Sequence, residues 1–586
     1  MNKIVNNYID NRSNTNFNII NNNQKRVIVF GAGIAGLSAA HYLNQRGYNV
    51  IVIEKLPIPG GLARSERYAT GLPTEYSYRG FGAWYKNTFS VMKEIKTEWN
   101  KTVYDELKPI ESFDFIGNEE KYKFGPLDMM RMGWLALKTW SASDIRSRTE
   151  YAKQKASDQF NKTLSARGAH VASQVLGPWV GSDSGKVSMH QTGLFFRRNL
   201  FPGPPSPYYH PQTDKHEEFW QGNADKWLIC VEPINEIWFN PWVKQLQSQG
   251  VEFRFNEELY KFVILDNKII GANIHTNDNN YFIQADYYVL ATNPYITNDI
   301  LNRTPILLED SQLGLFPELV NDPGHRQISF RIIFPEKIVI PKDMAIILVD
   351  SEYDITFYSQ TFFEDLGQGV KSLWSGTTTV DSVPGKLFGL PYKAVTKEQF
   401  IEEVRYQFLK SKGLDKIIKE NNNGRSLSTF PMEIEVWPTW IFPPKVPLVS
   451  DPEQPKWVNN TRNQPYLPSA RTSYPEIYIA GAHTKTNTDL YSMEAAVESG
   501  RKAADLISNM NTVIPQHVPL LLKPFRFVDH ILYTLGLPHI VYVLIIVLVV
   551  LLTARKMKLN SFNTISIMVI LIIILTLVYH LSNHIN

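Results

Sequence analysis

The sequence predicts an α/β protein with a parallel sheet assembled from discontinuous segments, an inserted α+β domain and a C-terminal hairpin of two apolar helices. Three observations predict it. The apolar run from Val27 to Phe30 enters a turn carrying Gly31, Gly33 and Gly36, and a helical stretch follows from Leu37 to Arg46. Strand-like apolar runs return at 285–294 and 475–481, far along the chain. Residues 535–554 and 564–581 are long runs rich in Ile, Val and Leu and free of formal charge.

The first turn has the form of a pyrophosphate cradle. Gly31 permits the tight turn, Gly33 lets backbone approach a phosphate, and Gly36 lets helix and strand pack closely. The amides of Ile34, Ala35 and Gly36 open the helix, where free N–H groups and the dipole favour an anion. A second strand, Asn49 to Ile53, delivers Glu54, whose carboxylate can accept both ribose hydroxyls and disfavours a 2′-phosphate. Gly60 and Gly61 then make a second glycine turn, and Arg64 after it can pair with a phosphate or a flavin.

Composition sets outer bounds. A chain of 586 residues needs two or three domains, and 44% apolar with 20% charged residues describes a globular protein. A net charge of +3 gives no basic field for nucleic acid. The single cysteine, Cys230, cannot form an internal disulfide and reads as a small buried hydrophobe. Residues 1–24 hold ten asparagines and few large apolar groups, so a disordered leader is expected. The histidines, His210 and His216 included, lack metal-ligand spacing, and no metal is expected.

The strand, glycine triplet, acid and second glycine turn, in this order, resemble the start of the flavin amine oxidase and phytoene desaturase superfamily. Three further segments are similar to it. Residues 250–259, ending at Leu259, look like the strand whose backbone clasps adenine, and 285–294 look like the strand returning to the nucleotide domain. Gly481, followed by Met493 and Glu494 at a second helix start, looks like the segment aimed at the flavin end. The resemblance implies FAD as cofactor in a glutathione-reductase-type Rossmann-like domain. One departure is Ala482, where the family places Asp or Glu; His483 or Thr484 is a possible substitute. The implied domains are 25–100, 245–300 and 441–508 for FAD, 101–244 and 301–440 for substrate, and a linker at 509–534.

Within that superfamily, Ser492 in place of an aromatic residue before Met493 looks more like the plant-type phytoene and zeta-carotene desaturases. Residues 75–87 resemble a desaturase stretch running from Glu75 through Tyr76, Tyr78, Phe81, Trp84 and Tyr85, with Arg79 where the family has His. Glu75 and Arg79 are the candidate catalytic residues by this resemblance, and a clamping role for each is equally open.

Each apolar run near the C-terminus is long enough to cross roughly 30 Å of hydrocarbon as a helix. Arg555, Lys556 and Lys558 form a basic turn between them. A multi-pass membrane tail carrying a cytosolic catalytic domain is expected. Three functions stay open. The first is a tethered FAD oxidoreductase that desaturates or isomerises an apolar isoprenoid or lipid-like substrate, with a quinone or oxygen as electron acceptor. The second is a flavin amine oxidase releasing peroxide, and the third a non-catalytic flavin-fold binding protein.

Overall fold

The computed structural model describes residues 24–75, 79–97, 101–110, 112–117, 124–203, 227–277, 279–322, 327–341, 344–443, 456–558 and 561–585. The expected leader, Tyr76, Tyr78, His210 and His216 lie outside them. The chain divides into two compact units. The first is Met1–Lys123, Gln174–Asp183 and Pro205–Gln516; the second is Phe124–Ser173, Ser184–Pro204 and His517–Asn586.

The first unit is organised by a five-stranded parallel sheet of β1 (Arg26–Phe30), β2 (Asn49–Glu54), β3 (Glu252–Phe255), β4 (Tyr287–Leu290) and β5 (Ile477–Ile479), in the order β5-β4-β1-β2-β3. Val27, Ile28, Val29 and Phe30 are all buried, as expected of a parallel strand covered on both faces. The chain leaves β1 toward β2 on one side and reaches β4 and β5 on the other. The carboxyl end of β1 is therefore a switch point, where α/β sheets open a ligand crevice.

A six-stranded mixed sheet forms the other half of this unit: Glu433–Val436, Ile328–Phe334, Ser372–Thr378, Ile355–Ser359, Met344–Leu348 and Ser112–Ile116, in that spatial order. Trp374 stacks on Phe357 at 5.0 Å and is fully buried, anchoring this second core.

Among the helices are, in chain order, α1 (Ile34–Gln45), α2 (Lys86–Glu94), α3 (Pro126–Ser141), α4 (Asp144–Thr149), α5 (Met493–Ser508), α6 (Leu522–Thr534), α7 (Ile540–Met557) and α8 (Ser561–Ile585). α1 and α5 cross so closely that a Cβ on Gly500 would lie 2.1 Å from the Ala35 carbonyl oxygen. This contact joins the two ends of the nucleotide fold.

The second unit is helical. Its centre is the fully buried pair Arg146–Asp529, 3.1 Å apart. Asp529 also accepts from the amides of Ser143 at 2.8 Å and Ile540 at 3.1 Å, so one carboxylate holds α4, α6 and the start of α7.

Three expectations need correction. The span 101–244 does not go as a whole with 301–440, because 124–173 and 184–204 pack with the C-terminal tail. The span 509–534 is not a free linker: Ile514 donates its amide to Asn87 in the first unit, and α6 is docked by Asp529 in the second. Residues 250–259 are not one strand either. Asn256 takes a left-handed φ of 59°, so β3 ends there and Leu259 belongs to an antiparallel sheet spanning 257–283.

Among the described residues of the two apolar runs, one helix, α7, is long and apolar enough to cross a membrane. α8 has 25 residues, with its apolar part at Asn563–Leu577.

Candidate flavin site

The two glycine turns lie against each other. Gly60 donates its amide to the Ala32 carbonyl at 2.9 Å, and Gly33 and Gly60 form a parallel bridge. A Cβ on Gly36 would sit 1.8 Å from the Gly31 carbonyl oxygen, so the turn closes only around glycine. At Gly33 the nearest atom to such a Cβ is the Gly61 Cα at 3.9 Å, which leaves room for a ligand's close approach. No side chain caps α1 at Gly33, so the first-turn amides of Ile34, Ala35 and Gly36 keep the donors a phosphate uses. These residues fit a dinucleotide pyrophosphate.

Glu54 sits at the carboxyl end of β2, buried, with its carboxylate accepting from Ala32 at 2.6 Å and Leu56 at 2.9 Å. Burial raises its pKa and these two amides oppose the rise. The carboxylate therefore braces the first turn while retaining lone pairs that would hold a ribose. Lys55 pairs with Glu258 at 3.2 Å, which brings the strand carrying Leu259 to this end of the site. Leu259 itself is a core residue, packed in one cluster with Ile28, Phe30 and Tyr288.

Arg64 is buried beside the second turn. It donates to the Gly61 carbonyl at 3.2 Å, lies 5.0 Å from the Trp437 ring centre and pairs with Glu66 at 3.2 Å. Its visible role is to fix the turn.

At the far end, Gly481 follows β5 and donates its amide to Ser499 at 2.8 Å. Met493 is half-buried in the first turn of α5. Glu494 does not offer its side chain to a cofactor. Its carboxylate accepts from the amide and side chain of Asn87 at 2.9 Å each, from Thr88 at 2.9 and 2.8 Å, and from Gln516 at 3.1 Å. It caps α2, and what remains toward a ligand there is helix backbone. Of the two possible substitutes for an acid at 482, Thr484 spends its hydroxyl on the Gly481 carbonyl at 2.9 Å. His483 is buried between Phe316 and Trp457, its pKa pushed down to about 3 by burial, so it stays neutral.

The Glu75 to Asn87 stretch supplies the chemistry beside the second turn. Glu75 faces Arg331 at 3.1 Å and accepts from Gln360 at 3.4 Å, which makes it one half of a buried ion pair. Arg79 donates to the carbonyls of Leu62 and Ala63, so its guanidinium lies on the Gly60–Gly61 turn. Burial lowers its pKa while Glu75 opposes the drop. Cys230 is in the same neighbourhood; burial and then Glu75 push its thiol up, so it remains protonated.

Sequence reasoning missed two residues here. Arg331 lies mid-strand in an apolar run, a position that reads as core. Lys456 is buried, donates to Gln327, and has its pKa lowered to about 7 by burial with Arg79 adding to it. The one available signal was a lysine set directly before the apolar pair Trp457 and Val458.

A parallel sheet with a switch point, two bridged glycine turns and a braced ribose-side acid define a dinucleotide-binding fold. Comparison with known proteins narrows the class. Residues 29–95 match the family model "NAD(P)-binding Rossmann-like domain", and residues 455–508 match "Flavin containing amine oxidoreductase". The fold is similar to that of cyclohexylamine oxidase from Brevibacterium oxydans, at TM-score 0.53 and 14% identity over 83% of this chain and 99% of that one. It is equally similar to putrescine oxidase bound to putrescine, at TM-score 0.55 and 14% identity over 83% and 99%. An oxidoreductase from Methanosarcina mazei aligns at TM-score 0.54 and 14% identity over 82% and 100%. A curated relative, the NADP(+)-dependent formate dehydrogenase subunit beta of Moorella thermoacetica, is 49% identical over 55 residues; the match spans 9% of this chain and 7% of that protein. The chain is an FAD-dependent oxidoreductase whose residues 455–508 are similar to flavin-containing amine oxidoreductases and whose fold is shared with amine oxidases.

Proposed function

We propose that the chain is a membrane-tethered oxidoreductase that removes hydride from, or isomerises, an apolar isoprenoid or lipid-like substrate, close in kind to the plant-type desaturases. The observation that carries this reading is α7. It is apolar over 18 residues, and 22% of that stretch is buried within the protein. A helix with so little protein cover and no charge before Arg555 is suited to hydrocarbon. A substrate dissolved in the same bilayer would not need extraction into water. α8 would return the chain, giving two crossings with the basic turn between them.

In this reading Gly31, Gly33, Gly36 and the amides of Ile34 and Ala35 hold the pyrophosphate, and Glu54 holds the ribose. The Gly60–Gly61 turn, Gly481 and the start of α5 at Met493 flank the flavin end. When bound, FAD supplies the two-electron chemistry. Arg79 and Lys456 then furnish positive potential beside the second turn. Lys456, poised near neutral pH, is the group able to take or return a proton there. Glu75 positions Arg331 and does not act on substrate. Electrons would pass on to a quinone, oxygen or another diffusible acceptor.

Arg79 and Lys456 also bear on the amine oxidase reading. The Arg79 guanidinium beside the second glycine turn repels a protonated amine, and Lys456 adds to that repulsion whenever it is protonated. The test is mass spectrometry of lipids that co-purify with detergent-extracted protein, followed by anaerobic flavin reduction with each candidate. Bleaching of the visible flavin bands by an isoprenoid or lipid supports the proposal. Bleaching by amines alone, with peroxide released in air, replaces it with the amine oxidase reading. Protein purified without visible flavin absorbance would sink both.

A further inference from the structure

In the second unit, helix α6 is inverted relative to a helix in water. Its buried side chain is Asp529, at 0% exposure, while Leu521, Phe525, Val528, Ile531 and Leu535 all face outward. Those five recur at steps of four, three, three and four residues, so they lie on one helical face. Leu521 is 82% exposed.

Helix α3 repeats the pattern. Asp128 points inward and accepts from Ser165 at 2.8 and 2.5 Å. Leu127, Met130, Trp134 and Leu137 recur at steps of three, four and three; three of them are exposed, Met130 at 74%, and Trp134 is half-buried. α3 packs against both α6 and α7, so the two stripes belong to neighbouring helices.

The level at which α7 begins is marked by a different observation. Trp134 on α3 meets Tyr542, in the first turn of α7, edge-on at 5.9 Å, and Lys138 lies 5.4 Å from the same Tyr542 ring. Trp, Tyr and Lys gathered at the start of an apolar helix form the belt that settles at a membrane–water boundary. Arg131 and Lys523 add cations beside the stripes, which suits anionic headgroups.

We infer that the outward apolar faces of α3 and α6 lie in the headgroup-to-acyl boundary of a lipid bilayer, as an in-plane contact beside α7. The inference rests on the membrane-tether reading of α7. A bilayer is the occupant because the stripes continue into α7 with only Leu535 to His539 between them. It is also the occupant because α3 and α6 each bury their one acid while Leu127, Met130, Phe525 and Val528 face outward, the pattern of a helix laid against an apolar medium. α6 thereby becomes a fixed membrane-surface element, held at a set depth by Asp529.

The full chain, carrying Cys230→Ser, is given single spin labels at Met130→Cys, Val528→Cys, Leu548→Cys on α7 and Glu420→Cys on an exposed part of the first unit. Each variant is reconstituted in phosphatidylcholine–phosphatidylglycerol vesicles after its thermal melt is shown to match the parent. Power saturation then compares collision with oxygen and with nickel chelate. The inference expects oxygen-favoured ratios at 130 and 528 several-fold above that at 420, with 548 deeper still. A deep 548 with water-exposed 130 and 528 overturns this inference and leaves the tether standing. Water exposure at all four sites overturns the tether and the inference together. Labels at 130 and 528 shielded from both relaxants would assign the surface to a protein partner or a second copy, again against the inference.

Discussion

Helices α1 and α6 are nearly equal in length and bury opposite things. α1 has 12 residues and buries ten of them, from Ile34 to Leu43; α6 has 13 and buries one, Asp529. α1 is buried on every side along those ten residues, whereas α6 carries its outward apolar groups at the 3.6-residue period. The difference teaches that periodicity reveals a face but not the medium that face meets. α1 is enclosed by a sheet and by α5, so its apolar groups go inward. α6 turns its acid inward to Arg146 and leaves its apolar stripe outside, the arrangement that the inferred contact with a bilayer requires.

The sharpest way to break the comparison is at α1. Gly36→Val places a side chain where even a Cβ would stand 1.8 Å from the Gly31 carbonyl oxygen. The expected loss exceeds about 4 kcal/mol, because neither the backbone of the turn nor the sheet behind it can yield. Thermal unfolding and visible absorbance should show destabilisation and loss of retained flavin together. A variant of normal stability that keeps its flavin would remove the first turn from the site.

In the second unit the equivalent weak point is polar. Asp529→Ala leaves the buried Arg146 with Glu150, 2.9 Å away and partly exposed, as its remaining carboxylate, at an expected cost of roughly 3 kcal/mol. The double change Arg146→Met with Asp529→Leu should recover most of that loss, since an apolar pair of similar volume removes the buried, under-compensated charge and leaves Glu150 to solvent. Denaturation in one detergent, compared across the three proteins, measures it. If the double variant were as unstable as the single, the pair would hold α4, α6 and α7 by its particular hydrogen bonds and not merely by charge balance.

Lys456 gives the first unit its own buried charge, which donates to the Gln327 side chain. Its folded pKa of about 7 lies below the ordinary lysine value of 10.5. Below pH 7 both folded and unfolded chains carry the proton, and the burial penalty is felt in full. Between those two values the unfolded chain binds more protons, so stability rises with pH, by at most about 1.4 kcal/mol per unit. Lys456→Met lacks this dependence. The variant should be the more stable protein at pH 6, and its advantage should shrink as pH climbs toward 9. A gap that stays constant with pH would mean that Lys456 is not depressed.

How much of this was legible follows the same division. The first turn, Glu54 and the second turn could be read because close backbone approach permits few residue types, and the spacing of strand, turn and helix orders them. Glu494 was read as a cofactor residue because it stands at a helix start; that its carboxylate is taken up by Asn87 and Thr88 depends on a pairing 406 or more residues away. Arg331 and Lys456 were hidden for the same reason, since a cation in an apolar stretch shows its partner only once the fold is built. Residues 509–534 read as a linker because Lys523, Pro524, Arg526 and Asp529 interrupt the apolar stripe, and no local pattern says that Asp529 points inward to Arg146.

The smallest expected effect is the one that most finely separates α1 from α6. Leu37 on α1 is fully buried, and Leu37→Ala should cost about 2–5 kcal/mol from lost burial and the cavity left behind. Val528 on α6 has no such packing to lose. Val528→Ser should change the stability of detergent-solubilised protein by no more than about 0.5 kcal/mol. In vesicles the same substitution replaces an apolar group in the lipid boundary with a polar one, so its effect should grow when bilayer replaces detergent, whereas the Leu37→Ala loss should be the same in both. Equal Val528→Ser effects in the two media would mean that the α6 stripe meets no lipid, and that the two helices differ in packing alone.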